Sequence, residues 1–211
     1  MAARDMASRR RRSSGVLACL GLSALFLGLA ASIMPESYSW VADTTSESAA
    51  QGLRGAWLAR LGFLTFGLGV MWLASLAGAL WGRWGTTFHR SFGVLLLATA
   101  TFSHRPIDTD VPYDATEDLL HSISATAMGF AFALGVVAVM MRSERRPLRR
   151  RVLSVVAIVA SVVVPLAMSA FPDQAGLLQR AMFLIAYLWY GFEALGMLEL
   201  SPRPQTLGQP R

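Results

Sequence analysis

The sequence is poor in charge, has a single cysteine and contains no lysine. Only 15% of its 211 residues are charged, whereas a soluble domain of this length carries about 25%. The lone Cys19 excludes an internal disulfide, and all 19 basic residues are arginines. The chain also carries no glycine-rich phosphate loop, no nucleophile elbow and no nucleic-acid-binding motif. These absences argue against an ordinary soluble enzyme and against a partner that is nucleic acid.

Long apolar blocks make up most of the chain, which has a mean hydropathy of +0.47. A helix needs about 20 apolar residues to cross a hydrocarbon core of about 30 Å. Six blocks meet or approach this length, at residues 15–34, 54–81, 86–102, 119–141, 152–171 and 176–198. We therefore predict an all-α membrane bundle of six transmembrane helices within residues 15–200. Tails at 1–14 and 201–211 flank this bundle.

The arginines are divided unevenly between the two ends of the predicted helices. Four of the 19 fall toward one end, namely Arg54, Arg60, Arg105 and Arg180. The remaining fifteen lie in the two tails, around the second connection and in the fourth connection. Cytoplasmic connections are enriched in basic residues. We therefore predict a multi-pass protein of the plasma membrane with both termini in the cytoplasm.

The first apolar block has a second interpretation. It follows Arg9–Arg12 and ends in small residues, which is also the pattern of a signal peptide. Because five further spans follow, we predict an uncleaved signal anchor. Cleavage would leave the orientation of the other spans unchanged.

Residues 104–121 concentrate five of the 13 acids and two of the three histidines. Asp114 and Glu117 have the spacing of a capping box, so we predict that the fourth span begins near Asp114. Asp118 and His121 are three residues apart and share one face of the first turns. The purely structural interpretation is that Asp118 and His121 form a pair on the protein surface. The functional one is that His121 points into the bundle, as polar groups at membrane depth usually do.

Arg60 and Arg180 fall one or two turns inside the same end of the second and sixth spans. Snorkelling to lipid headgroups is the simple interpretation. Together with His121, Asp118 and Asp108, the two arginines are also candidates for an outward-facing pocket. Such a pocket suits a lipid headgroup, a small anion or a partner protein. Our leading prediction is accordingly a binding protein without catalytic activity or cofactor.

Two alternatives use other chemistry. Zinc accepts histidine and carboxylate ligands, and His104, His121, Asp108 and Asp118 would be its ligands in a membrane-embedded lipid hydrolase. Only two histidines lie at this end, without His-x-x-x-His spacing, so zinc is the weaker prediction. A small transporter is the third prediction. Near the opposite end, Glu193 is expected to pair with Arg149–Arg151 or Arg83 in a structural role, with a proton relay as the alternative.

Short motifs stand at the starts of three predicted spans. Gly55–Phe63 opens the second, Pro106 and Asp108 precede His121 of the fourth, and Gly176–Arg180 opens the sixth. Their order over residues 15–198 resembles domain-of-unknown-function family 998, a group of bacterial and archaeal multi-helix membrane proteins. The resemblance implies about six helices and no established activity. The compact Phe-Pro-x-Asp loop typical of that family is replaced here by the longer segment 102–108, so the resemblance carries no role over to Asp108.

Overall fold

The computed structural model describes residues 2–108, 110–142 and 146–199, and this part of the chain is helical with no strand. Its α-helices are α1 Ala2–Ser32, α2 Ala56–Thr101, α3 Ala115–Arg142, α4 Leu148–Ala170 and α5 Ala175–Glu199. Short 3₁₀ turns lie at Glu47–Ala49 and Pro172–Gln174. The prediction of an all-α chain is confirmed. Arg145 and the predicted tail at 201–211 lie outside the described residues.

Several of these helices have the length and apolar composition of membrane spans. In the described chain, four segments meet both conditions: Arg10–Ser32, Ala56–Thr101, Ala115–Arg142 and Leu148–Ala170. The helix α1 begins at Ala2, so residues predicted as an N-terminal tail continue the first helix. The prediction of long apolar helices is therefore confirmed, with a longer first helix than expected.

The 46-residue α2 is a helical hairpin that reverses at Gly82. Gly82 has φ 68° and ψ 177°, which are not helical values. A Cβ on Gly67 would lie 2.8 Å from the Gly93 carbonyl oxygen, and Thr86 Oγ1 lies 3.5 Å from the Gly78 carbonyl oxygen. In a straight helix Gly67 and Gly93 would be about 39 Å apart at 1.5 Å per residue. The first arm (56–81) and the second arm (83–101) are therefore antiparallel neighbours.

Glycine is needed at the reversal for two reasons. Its positive φ is unfavourable for residues that carry a Cβ. In addition, a Cβ at Gly82 would lie 2.6 Å from Cδ of Arg142, the last residue of α3. The sequence predicts a connection of four residues, 82–85, between the second and third spans. In the structure Gly82 alone separates the two arms. The second arm therefore begins three residues before the predicted start at residue 86.

The arms of α2 form the centre of the bundle. Ser23 of α1 donates a 2.6 Å hydrogen bond to the Gly62 carbonyl of the first arm. Gly85 of the second arm packs against Val139 of α3. The helix α4 joins α5 through a 3.1 Å bond from Trp189 Nε1 to Ser154 Oγ. The core between these helices combines aliphatic side chains with buried aromatic ones, which include Phe63, Phe66, Trp81, Trp189 and Tyr190.

Candidate functional site

The bundle has two chemically different ends. We call the end with residues 33–55, 102–114 and 171–174 the loop end, and the end with the α2 reversal the Gly82 end.

Arg180 of α5 binds the first of these loops, residues 33–55. Its guanidinium donates 2.8 Å bonds to the Trp40 and Asp43 carbonyls and a further bond to the Tyr38 hydroxyl. Burial raises the pKa of the Tyr38 hydroxyl despite the positive charge of Arg180, so this phenol stays protonated.

The same loop covers the N-terminus of α5. The amide of Gly176 donates to the Ala42 carbonyl at 3.0 Å, and the amide of Leu177 donates to the Val41 carbonyl at 2.9 Å. The first amides of a helix have no partner within the helix itself. These loop carbonyls supply partners for two of them, which explains why an irregular segment is held so closely against α5.

Arg60 lies under the loop as well. Its Nε donates a 3.3 Å bond to the Ala49 carbonyl. Within the described chain, no hydrogen bond or ion pair joins Arg60, Arg180 and His121 to one another. The two predicted pocket arginines thus hold one loop through backbone carbonyls, and the predicted outward pocket stays a prediction.

His121 is buried at the contact between α3 and the segment that follows α2. It is 1% exposed, and its Nδ1 donates a 2.9 Å bond to the Phe102 carbonyl. The His104 ring packs edge-to-face against it, with centroids 5.4 Å apart. Asp118 accepts a 2.8 Å bond from the Arg105 amide and lies 3.9 Å from His104 Nε2. The structure therefore brings His104, His121 and Asp118 together, as a cluster that fixes the loop at 102–108.

Asp108 is engaged locally. Its carboxylate accepts a 3.0 Å bond from the amide of Asp110. Among the described residues, no group of three or more histidine, cysteine, aspartate or glutamate side chains is arranged to hold a metal ion. The zinc alternative therefore gains no support from this geometry.

Asp114 caps α3 as the sequence predicts. Its Oδ1 accepts bonds from the amides of Thr116 at 2.8 Å and Glu117 at 3.1 Å. In a capping box the Glu117 side chain would accept a hydrogen bond from the Asp114 amide. Here the Asp114 amide donates instead to Gln51 Oε1 at 2.7 Å. Gln51 Nε2 also donates to the Ser103 and Asp114 carbonyls. This one side chain therefore joins the loop at 33–55 to the loop at 102–114. Nothing in the sequence pattern marks Gln51 for that role.

Replacing Asp114 with alanine is expected to destabilise the protein by about 1 kcal/mol, because two helix amides lose their acceptor. Thermal denaturation in detergent measures the loss, and hydrogen exchange at residues 116 and 117 should accelerate. Asp110→Ala, an exposed acid of the same loop, is the control and should leave both measurements unchanged. Equal behaviour of the two variants would contradict the assignment of Asp114 as the cap.

At the Gly82 end, Glu193 occupies a buried polar cluster. Arg146 donates two 3.0 Å bonds to its carboxylate, and Trp81 Nε1 donates a third at 2.9 Å. Glu193 is 6% exposed and Trp81 is 1% exposed. The prediction that Glu193 pairs with an arginine is confirmed, but among the described residues its partner is Arg146 in place of Arg83 or Arg149–Arg151. Trp189, Tyr190 and Glu193 share one turn of α5, and this aromatic–acid spacing is the sequence signal for the cluster.

His89 lies next to this cluster and is fully buried. Its Nδ1 and the Tyr190 hydroxyl are 2.9 Å apart, and its ring stacks on Trp189 with centroids 4.7 Å apart. A Cβ at Gly135 would lie 2.7 Å from His89 Cε1, so glycine leaves room for the ring. The arrangement ties the second arm of α2 to α3 and α5.

A groove of about 520 Å³ runs along the surface at the Gly82 end, between α2 and α3. We call it the Gly82 groove. One wall comes from the α2 reversal and the other from the last turns of α3. The lining residues are Trp81, Gly82, Arg83, Trp84, Phe88, Leu134, Val137, Ala138, Met141 and Arg142. All but the two arginines and Gly82 are apolar or aromatic, and the volume lies in the range of small-molecule sites.

Comparison with known proteins places the chain in a family. The family described as protein of unknown function (DUF998) matches residues 3–195. The chain belongs to this family. No match was found among curated proteins or among solved structures. The resemblance stated from the sequence is therefore confirmed.

In this DUF998 protein, the motifs that suggested the family meet at the loop end. Gly55–Phe63 covers the start of α2, and Gly176–Arg180 covers the start of α5. Gly176 contacts the loop directly, since a Cβ there would lie 2.2 Å from the Asp43 carbonyl oxygen. Three residues of these sequence motifs, Arg60, His121 and Arg180, each bond to a backbone carbonyl of a loop. Their observed contacts are therefore structural ones.

Proposed function

We propose that this protein crosses the plasma membrane six times, with both termini in the cytoplasm. The four membrane-length segments support it, because α2 contains two antiparallel arms and α5 adds a further long helix. The second arm is about 28 Å long at 1.5 Å per residue, close to the hydrocarbon thickness. Exposed tryptophans flank the first arm, with Trp57 near one end and Trp84 just past the other. Such aromatic residues favour the two membrane–water interfaces.

Cysteine labelling in intact cells tests this topology. In a Cys19→Ala background, Glu36→Cys places a thiol in the first loop and Leu148→Cys places one at the start of α4. A membrane-impermeant maleimide should label position 36 in intact cells, and position 148 only after permeabilisation. The opposite pattern would reverse the orientation, and labelling of both positions would argue against these spans.

The function that the geometry supports best is lipid binding in the Gly82 groove. The observation that carries this proposal is a groove with an apolar lining that opens on the outside of the bundle. Its rim residues Trp84, Leu134 and Met141 are 57%, 48% and 80% exposed. In the proposed membrane placement Trp84 lies at the membrane–water interface and Leu134 faces acyl chains, so a lipid can enter the groove sideways without crossing water. Binding a lipid, without changing it, agrees with the non-enzymatic prediction from the sequence.

A lipid with a photoreactive group on its acyl chain tests this proposal. We expect crosslinks in the purified protein to concentrate at residues 84–88 and 134–141. Ala138→Phe should fill the groove and remove most of them. Val159→Phe is the matched control, because Val159 lies on the exposed face of α4, outside the groove. Crosslinks spread evenly around the bundle and unaffected by Ala138→Phe would refute groove binding.

Fewer structural observations support the other candidate functions. An outward pocket at Arg60, His121, Asp118, Asp108 and Arg180 would have to share these side chains with the loop contacts they already make. The zinc hydrolase is tested by metal analysis of purified wild type and His121→Ala, where stoichiometric zinc lost in the variant would favour it. The transporter alternative has no observation of its own beyond the buried pair of Arg146 and Glu193.

A further inference from the structure

We infer that the Gly82 groove selects a lipid with an anionic headgroup, whose phosphate lies between Arg83 and Arg142. This inference rests on the proposed lipid binding and names the class of lipid. It depends on three features of the groove, which are its two guanidinium groups, its apolar wall and its position in the bundle.

The two arginines stand together at one end of the groove. The Arg142 side chain folds over Gly82, where a Cβ would lie 2.6 Å from Cδ and 3.2 Å from Cζ. Arg83 is the next residue along the chain, and its Cζ lies 4.6 Å from the centroid of the Trp84 ring. Because Gly82 has no side chain, Arg142 can pack over the reversal, and both Arg142 and Arg83 line the groove there. A glycine reversal thus places two positive charges at the mouth of one groove.

Both guanidinium groups have hydrogen-bond donors to offer a ligand. Arg83 and Arg142 are exposed. In the described ranges, neither makes an ion pair or a hydrogen bond, whereas Arg146 in the adjacent connection is engaged with Glu193. A guanidinium binds phosphate oxygens through paired, charge-assisted hydrogen bonds. Two such groups suit a phosphate that carries net negative charge.

The wall of the groove suits the remainder of a lipid. From Leu134 to Arg142 the groove follows two turns of α3, or about 12 Å at 1.5 Å per residue. Phe88, Val137 and Ala138 line this stretch. An acyl chain there would extend toward the middle of the bilayer while the phosphate stays at the arginines. A free phosphate would leave this apolar wall without a partner.

The headgroup preference follows from charge. A zwitterionic choline headgroup would bring its ammonium group close to two guanidinium groups, whereas an anionic headgroup adds no positive charge. Anionic lipids are also concentrated in the cytoplasmic leaflet. In the proposed orientation the Gly82 end faces that leaflet, so the groove and its ligand would be on the same side of the membrane.

Native mass spectrometry of the purified protein tests the inference. The protein is equilibrated with equal amounts of phosphatidylglycerol and phosphatidylcholine that carry identical acyl chains. We expect retained phosphatidylglycerol to exceed phosphatidylcholine by about thirtyfold, the factor for two juxtamembrane arginines. Arg83→Gln with Arg142→Gln should bring the ratio close to one. The control pair Arg90→Gln with Arg151→Gln removes the same charge outside the groove and should keep the preference.

The possible outcomes separate the inference from the proposal beneath it. If both lipids are retained equally and Ala138→Phe releases both, groove binding stands and the anionic preference is refuted. If neither lipid is retained, both fail. If millimolar inorganic phosphate displaces phosphatidylglycerol completely, free phosphate is the favoured ligand and the lipid assignment is overturned. A preference that the control pair also abolishes would trace to overall charge and would refute a role for these two arginines.

Discussion

Replacing Glu193 with alanine is expected to lower the free energy of unfolding by about 3–5 kcal/mol, the usual cost of leaving one partner of a buried ion pair alone. The change removes the acceptor of two bonds from Arg146 and one from Trp81. The guanidinium and the indole N–H would then remain largely buried without their acceptor. Thermal or denaturant unfolding in detergent measures the loss.

A double variant separates the buried charge from ordinary packing. Glu193→Leu with Arg146→Met removes both charges, and apolar replacement of a buried pair is often neutral. We therefore expect the double variant to recover most of the stability lost in Glu193→Ala. If the double variant unfolds as readily as the single one, the loss comes from packing and the ion pair is not its cause.

Replacing Gly93 with leucine is expected to destabilise the α2 hairpin by about 1–3 kcal/mol, the range for overpacking a close contact. A Cβ at Gly93 would lie 2.5 Å from Met71 Cγ and 2.9 Å from the Gly67 carbonyl oxygen. Met71 can adjust, but the carbonyl belongs to the backbone of the first arm. The arms would have to separate, and small residues are what allow helices to approach so closely in membranes.

Gly129→Leu is the matched control for this prediction. Gly129 is also within a helix, and a Cβ there meets nothing within 4 Å. Unfolding experiments in detergent should therefore show a marked loss for Gly93→Leu and little change for Gly129→Leu. Because leucine has a higher helix propensity than glycine, equal losses would point to a cause other than propensity or the contact between the arms, and close packing of the arms would not be the reason for glycine at 93.

Much of the helical architecture follows from apolar length alone. The predicted spans at 54–81 and 86–102 match the two arms of α2, and those at 119–141, 152–171 and 176–198 match α3, α4 and α5 within a few residues. Apolar runs of this length have few other solutions, because backbone groups in a bilayer must be satisfied within the helix. The sharp reversal at Gly82 depends on the φ and ψ angles of one residue, which no composition pattern specifies.

The loop end was predictable only where the chemistry is local. The Asp114 cap follows from spacing within four residues. Arg60 binds the carbonyl of Ala49, which ends a 3₁₀ turn in the first loop, and Arg180 binds the carbonyl of Trp40, which is 140 residues away in sequence. Side-chain identity does not reveal such partners, because they are backbone atoms. The two arginines stand out in the sequence by their position inside the predicted spans, but their contacts depend on the folded loop.

The Gly82 groove was missed for a related reason. Arg83 and Arg142 are 59 residues apart in sequence, and each alone reads as an ordinary topology signal. Only the hairpin of α2 and its packing on α3 bring both residues into the lining of one groove. The groove is thus a tertiary feature, built where a turn glycine and the last residue of α3 meet.

The most direct test of lipid binding in this groove is a crystal structure grown in a lipid mesophase doped with phosphatidylglycerol. We predict continuous acyl-chain density along Leu134 and Ala138, with the headgroup phosphate in hydrogen-bond contact with Arg83 and Arg142. An empty groove, with ordered lipid only on other faces of the bundle, would contradict the proposed function and the anionic selectivity together.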